Sequence, residues 1–298
     1  MTTFFQLLVA GLALGCIYAL VALGFTIIYR ASQVINFAQG AFLTLGAFLV
    51  SWFALDRSFP FAVAVILALA ITAAIAVFFQ VVVLRYTVGQ PVFTVVMITI
   101  GLNIALSGAV PALFGDTARS IGDPWSSSSI NLGGVVLIWD KIWTIVVTLF
   151  VLGLFFAFNR FSRYGLAMRA TALDEEAAMA VGVPTRRVHA LAWGLAGAVA
   201  TVGGFFLAGF PSNLDPNIGA VALRAFPAII LGGLDSPVGA VVGGVIIGVV
   251  EVLTAGYQPN YASWLGNNFY TVAPYILMIL VLLVRPYGLF GSRPAERV

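Results

Sequence analysis

Apolar residues run in long blocks along the whole chain, separated by short polar breaks. A helix needs about 20 such residues to cross roughly 30 Å of hydrocarbon. Segments at 4 to 29, 34 to 54, 60 to 84, 91 to 114, 142 to 159, 189 to 210, 237 to 256 and 269 to 284 meet that requirement, the fourth opening at Pro91. A ninth segment, 219 to 233, is shorter and contains Pro227. It reads as a tilted or discontinuous helix, tolerated in a membrane where the freed backbone groups are buried in protein. The pattern predicts an all-α, polytopic membrane bundle of eight to nine spans, forming one transmembrane domain over residues 1–298.

Composition narrows the class. The 298 residues are 61% hydrophobic and 8% charged, with mean hydropathy +1.08, against about 45–50% apolar and about 25% charged in a soluble domain. A soluble enzyme, a disordered chain and a secreted disulfide scaffold are excluded. Cys16 is the single cysteine, so the chain has neither an internal disulfide nor a cysteine-based metal site. The N-terminus lacks a basic n-region and its apolar stretch is too long for a cleaved signal, so the first span is expected to be retained.

The net charge of +3 serves orientation. Arg160, Arg163, Arg169, Arg186 and Arg187 crowd one break, and Arg285, Arg293 and Arg297 lie in the tail. Cytoplasmic loops collect such residues. The loop at about 160–188 and the C-terminus are therefore expected inside, with Arg30 and Arg85. The N-terminus and the loop at about 115–140, with Asp116, Arg119, Asp123 and Trp125, are expected outside, the run Ser126 to Ser129 being loop. All of the last four segments are taken as crossing.

Catalytic chemistry finds no footing. A phosphate-binding loop needs Lys after Gly, and Lys141, the one lysine, follows Asp140. His189 sits at a span boundary and reads as interfacial. Polar residues within spans mark candidate routes, which selects Asn36, Gln39, Asn103 and Ser107, beside Thr99, although such residues also serve helix cohesion. Glu251 and Arg224 lie near the outer ends of their segments and are expected to snorkel. The 31 glycines include small-xxx-small pairs at Gly11 and Gly15, Gly239 and Gly243, and Gly244 and Gly248, spacing suited to close helix packing. The turns Asn36–Gly40 and Asp235–Gly239, each leading into a small-residue span, suit an internal repeat.

The inner loop has helix-forming alanines, with Asp174-Glu175-Glu176 at an N-terminus and Gly182 before Pro184 at the stop. A short helix over Ala172–Val183 at the cytoplasmic face follows, a rigid knob for a partner's groove. Leu173, Asp174, Glu175, Glu176, Ala177, Ala178, Met179, Gly182 and Val183 are its candidate contact residues, the two alanines being small enough to seat it in the partner.

Glu176-Ala177-Ala178-Met179-Ala180-Val181-Gly182 resembles the Glu-Ala-Ala-x-x-x-Gly core by which ABC importer permeases contact their ATPases, although Ile-x-Leu-Pro does not follow Gly182. Further stretches, Asn36-Phe37-Ala38-Gln39-Gly40, Asp215-Pro216-Asn217-Ile218-Gly219, Ala225 to Gly233 with Ser236-Pro237 and Gly239-Ala240, and Arg285 to Gly291, resemble the branched-chain amino-acid ABC permease family over almost the whole chain. That resemblance implies an inner-membrane importer subunit in which Ala172–Val183 is the coupling helix. It also implies a second, related permease, two cytoplasmic ATPases that bind ATP and Mg, an external solute-binding protein, and no cofactor or metal in this chain. Family cargoes include branched-chain and other amino acids, urea and short amides. An ion-coupled secondary transporter would instead need titratable groups near the bilayer midplane, and an intramembrane enzyme a nucleophile or metal constellation.

Overall fold

The computed structural model describes residues 2–87, 90–122, 124–125, 128–132, 135–209, 213–266 and 268–291; Asp123, Ser126, Ser127, Arg293 and Arg297 lie outside them. The chain forms α1 (Thr2–Ser32), α2 (Gln39–Ser51, prolonged by a π-helical turn Trp52–Asp56), α3 (Phe61–Val82) and α4 (Val92–Phe114). A hairpin of β1 (Ser129–Leu132) and β2 (Val135–Ile138) precedes α5 (Trp139–Phe161), α6 (Arg163–Leu173), α7 (Glu175–Ala180) and α8 (Thr185–Leu207). Then come α9 (Val221–Arg224), α10 (Phe226–Gly232), α11 (Pro237–Tyr261) and α12 (Ala273–Val284).

Seven of the described helices are long and apolar enough to cross a membrane. Of the two remaining apolar stretches, one is shorter than the sequence reading expected and the other is discontinuous as that reading expected. The stretch 269 to 284, expected as a full span, is a 3-10 turn at Phe269–Thr271 followed by the 12-residue α12. The stretch 219 to 233 is broken into a 3-10 turn, α9 and α10, with Pro227 in the first turn of α10. Proline has no N–H to give and restricts the residue before it, so each segment is interrupted where Pro227 or Pro274 enters. The residues 128–138, expected as loop, include the hairpin, paired from Ser129↔Ile138 to Leu132↔Val135.

At the core, α2 has all 13 residues buried. Close approach surrounds it: a Cβ on Gly46 would strike Thr201 of α8, and one on Gly204 would strike the Leu43 carbonyl. Helix α3 presents a stripe of Ala64, Ala68, Thr72, Ala76 and Gln80 to the interior and leaves Ile66 and Phe78 outward. That four-residue spacing is one face of a helix. Lipid is as apolar as leucine, so helices are held by such close packing rather than by hydrophobic exclusion from water.

Two ends of the bundle differ. At one, Arg30 of α1 lies beside Asn159 and Met168, close to where α6 and α7 sit. At the other, Arg119 pairs with Asp56 at 3.2 Å, and Ser51 Oγ donates to the Ser120 carbonyl at 2.7 Å. This ties the segment after α4 to the end of α2.

Candidate functional site

The region expected as a single helix over Ala172–Val183 is two helices. Asp174 is extended (φ −158°, ψ 109°) and its Oδ1 accepts from Ala177 N at 3.0 Å, an N-cap that ends α6 and starts α7. Glu175 and Glu176 occupy the first turn, where the helix dipole favours negative charge. Gly182, at φ +86°, closes α7: Val183 N donates back to the Ala178 carbonyl at 2.9 Å across it. That left-handed closing residue is where glycine carries no Cβ penalty.

Orientation of the knob corrects the reading of its alanines. Ala178 is 3% exposed and seats α7 on its own bundle, whereas Ala177 and Glu176 are exposed. The outward apolar residues are Leu173 (89%), Val181 (81%) and Met179 (50%). Successive residues on a helix are about 100° apart, so Ala177 and Ala178 do not share a face.

The four candidate path residues separate into three settings. Asn103 and Ser107 of α4 line one cleft of about 420 Å³, with Thr44 of α2 opposite and Asp116 and Asn217 also in its wall. The start of α2 forms its floor, where Gly40 lies against the Gly219 carbonyl so closely that neither position has room for a side chain. Asn36 lines a second cavity of about 170 Å³ under α7. Gln39 lines neither of these: its Nε2 donates to the Ala196 carbonyl at 3.2 Å and its side chain fills the space beside Gly24. The turn Asn36–Gly40 is thus deep in the protein, Asn36, Ala38 and Gln39 all being 0% exposed. Thr99 Oγ1 accepts from Phe37 N at 3.3 Å, and the Phe37 ring stacks on Phe226 at 5.9 Å.

Four of the five glycines of α11 divide between two neighbours. A Cβ on Gly239 or Gly243 would fall on the carbonyls of Gly232 and Ala228 in α10. One on Gly244 or Gly248 would fall on the backbone of Ala19 and Gly15 in α1.

Glu251 does not snorkel. It is 5% exposed, accepts from Tyr18 Oη at 2.7 Å and has Arg224 Nη1 at 3.9 Å. Fourteen residues precede it in α11 and ten follow, so at about 1.5 Å per residue it sits near mid-helix. A titratable group is therefore present at that depth, contrary to the sequence expectation. The signal available was Glu251 itself, an acid in an apolar run; its partner Tyr18, 233 positions away, carried none. Thr44 and Asn217 were likewise missed as cleft residues, since both look like ordinary helix and turn residues. Among the described residues no group of three His, Cys, Asp or Glu could hold a metal.

Residues 7–282 match the family described as branched-chain amino acid transport system permease component. The high-affinity branched-chain amino acid transport system permease protein LivH of Salmonella typhimurium is 31% identical, covering 99% of this chain and 98% of that protein. LivH of Escherichia coli K12 is 30% identical and BraD of Pseudomonas aeruginosa 32%, with the same coverage. In fold the chain is similar to PsaBC from Streptococcus pneumoniae in complex with Fab, at TM-score 0.51 and 17% identity over 95% of this chain and 92% of that one. With its several apolar spans it is a multi-pass membrane protein. On a match spanning nearly its full length, the chain belongs to the branched-chain amino acid transport system permease family.

Proposed function

We propose that this chain is the membrane permease subunit of an ATP-driven importer for branched-chain amino acids. It works beside a second, related permease, two ATPases that bind ATP and Mg on the α7 side, and a solute-binding protein on the opposite side. The observation that carries the reading is the family match over residues 7–282. Charge supports the sidedness: the arginines from Arg160 to Arg187 read as cytoplasmic, which puts the N-terminus outside and the C-terminus inside.

On this reading the cleft lined by Asn103 and Ser107 receives cargo. Uncharged polar side chains opposite Thr44 hydrogen-bond a passing amino acid weakly enough to release it. The knob grips the ATPase through Leu173, Met179 and Val181, with Ala177 and Glu176 beside them, and Ala178 carries motion inward through its buried contact. ATP-driven closure of the ATPases then rocks helices around the cleft.

The test is ATP hydrolysis by the complex reconstituted in lipid nanodiscs. Leucine-loaded binding protein is expected to stimulate it, and Val181→Asp in the knob to abolish that stimulation while this chain still inserts in normal amount. Transport by this chain alone, without any ATPase, overturns the reading.

A further inference from the structure

Asn36 and Phe37 are neighbours in sequence yet line different cavities, Phe37 the large cleft and Asn36 the smaller cavity beneath α7. The smaller cavity has about 170 Å³, several times the roughly 30 Å³ of one water. It lies where α1, α3, the start of α4, α7 and α8 converge.

Its lining mixes two chemistries. Ile28, Leu84, Val95 and Trp193 are apolar. Asn36, Gln80, Glu175 and His189 supply polar groups among them. Asn36 is 0% exposed; its Oδ1 accepts from Ala38 N at 3.0 Å, but its Nδ2 is buried with no hydrogen-bond partner. His189 Nε2 is 3.3 Å from Glu175 Oε1 without hydrogen-bond alignment. A buried amide donor left unpaired costs about 1–3 kcal/mol, and apolar walls with a few convergent polar groups are the ordinary make-up of a small-molecule site.

We propose that this cavity binds an amino acid with an apolar side chain on the α7 side of the membrane, and that its occupation restrains α7. The carboxylate accepts from Asn36 Nδ2 and from His189. The ammonium donates to Glu175 and to the Gln80 carbonyl oxygen, and the side chain lies against Leu84 and Trp193. Glu175 is the first residue of α7 and His189 belongs to α8, so an occupant that engages both fixes the knob to the bundle. Accumulated cargo thereby slows the ATPases. The inference rests on the transport reading above and adds to it a product-side control.

The experiment uses the whole permease–ATPase complex in nanodiscs, without binding protein, titrated with L-leucine. ATP hydrolysis is expected to fall by about fivefold, the lower range of coupling between sites. Gln80→Leu is expected to raise the half-inhibitory concentration about tenfold, or ~1.4 kcal/mol, and Val95→Trp, which fills the cavity, to remove the inhibition. In the parent complex L-leucine is expected to slow amide exchange across Glu175–Ala180. Undiminished hydrolysis in the parent, inhibition unchanged in both variants, or unchanged exchange at α7 each overturns the proposal, and the exchange measurement stands even if neither variant assembles. Normal stimulation by loaded binding protein together with no effect of free L-leucine retires this inference alone; absent stimulation retires the transport reading.

Discussion

Helices α11 and α4 are both apolar enough to span a membrane and both carry spaced glycines, yet the protein uses them in opposite ways. On α11, Gly243, Gly244 and Gly248 meet the backbones of α10 and α1, with no room for a single added carbon. On α4, Gly101 and Gly108 have nothing within 4 Å, and only Thr99 and Val110 are buried. Glycine spacing thus reports the capacity for close contact, and whether that contact is made within the chain depends on what the fold brings alongside. Helix α11 is part of the frame. Helix α4 holds to the frame at Thr99 and Val110 and offers Asn103 and Ser107 to the cleft.

That contrast is broken most directly at α11. Gly248→Leu forces α1 away from α11, because the obstructing atoms are the backbone of Gly15; we expect almost complete loss of monodisperse protein after detergent extraction. Overpacking of about 1–3 kcal/mol is typical where side chains can yield, and here they cannot. Recovery of normal yield would show that the two helices slide apart freely.

Next in size is Glu251→Leu. It leaves Tyr18 Oη without its acceptor and Arg224 without its nearest acid, a loss of about 1–3 kcal/mol for the orphaned hydroxyl. Glu251→Gln retains an acceptor for Tyr18 and should keep most of the thermal stability of the extracted protein. Equal melting temperatures for the two variants would show that the hydrogen bond from Tyr18 is not what holds this site.

Smaller effects belong to the knob. Asp174→Ala removes the cap on Ala177 N at about 1 kcal/mol, and is read as faster amide exchange confined to α7. Gly182→Ala places a Cβ at φ +86° and costs about 1 kcal/mol, the usual left-handed penalty. It weakens nucleotide-driven coupling while expression stays normal. Ala178→Trp, in contrast, unseats α7, since Ala178 is buried against its own chain.

The smallest expected effect sharpens the comparison from the other side. Gly101→Leu and Gly108→Leu point into open space and should change the yield and melting temperature of the isolated chain by little, within about 0.5 kcal/mol as for other unconstrained surface positions. A collapse in yield matching that of Gly248→Leu would erase the distinction between the two helices.

Much of this was legible in the chain itself. Hydropathy marks the long spans, because a helix crossing hydrocarbon has to satisfy its backbone internally and show lipid an apolar surface. The caps of α7 were readable too: Asp174 and Gly182 act on backbone groups within one turn of themselves, so local order suffices. The spacing of the α11 glycines announced close packing without naming the helices met.

Tertiary structure alone decided the rest. Which face of α7 turns outward depends on the seat provided beneath Ala178. The depth of Asn36 depends on the chain re-entering the bundle after Ser32, and the burial of Glu251 on Tyr18 arriving from the other end of the sequence. That consecutive Asn36 and Phe37 serve different cavities is set by α4, α7 and α10 closing around them. Span formation is a property of one segment and its solvent, whereas a cavity exists only between segments, and a single sequence does not contain the distances that join them.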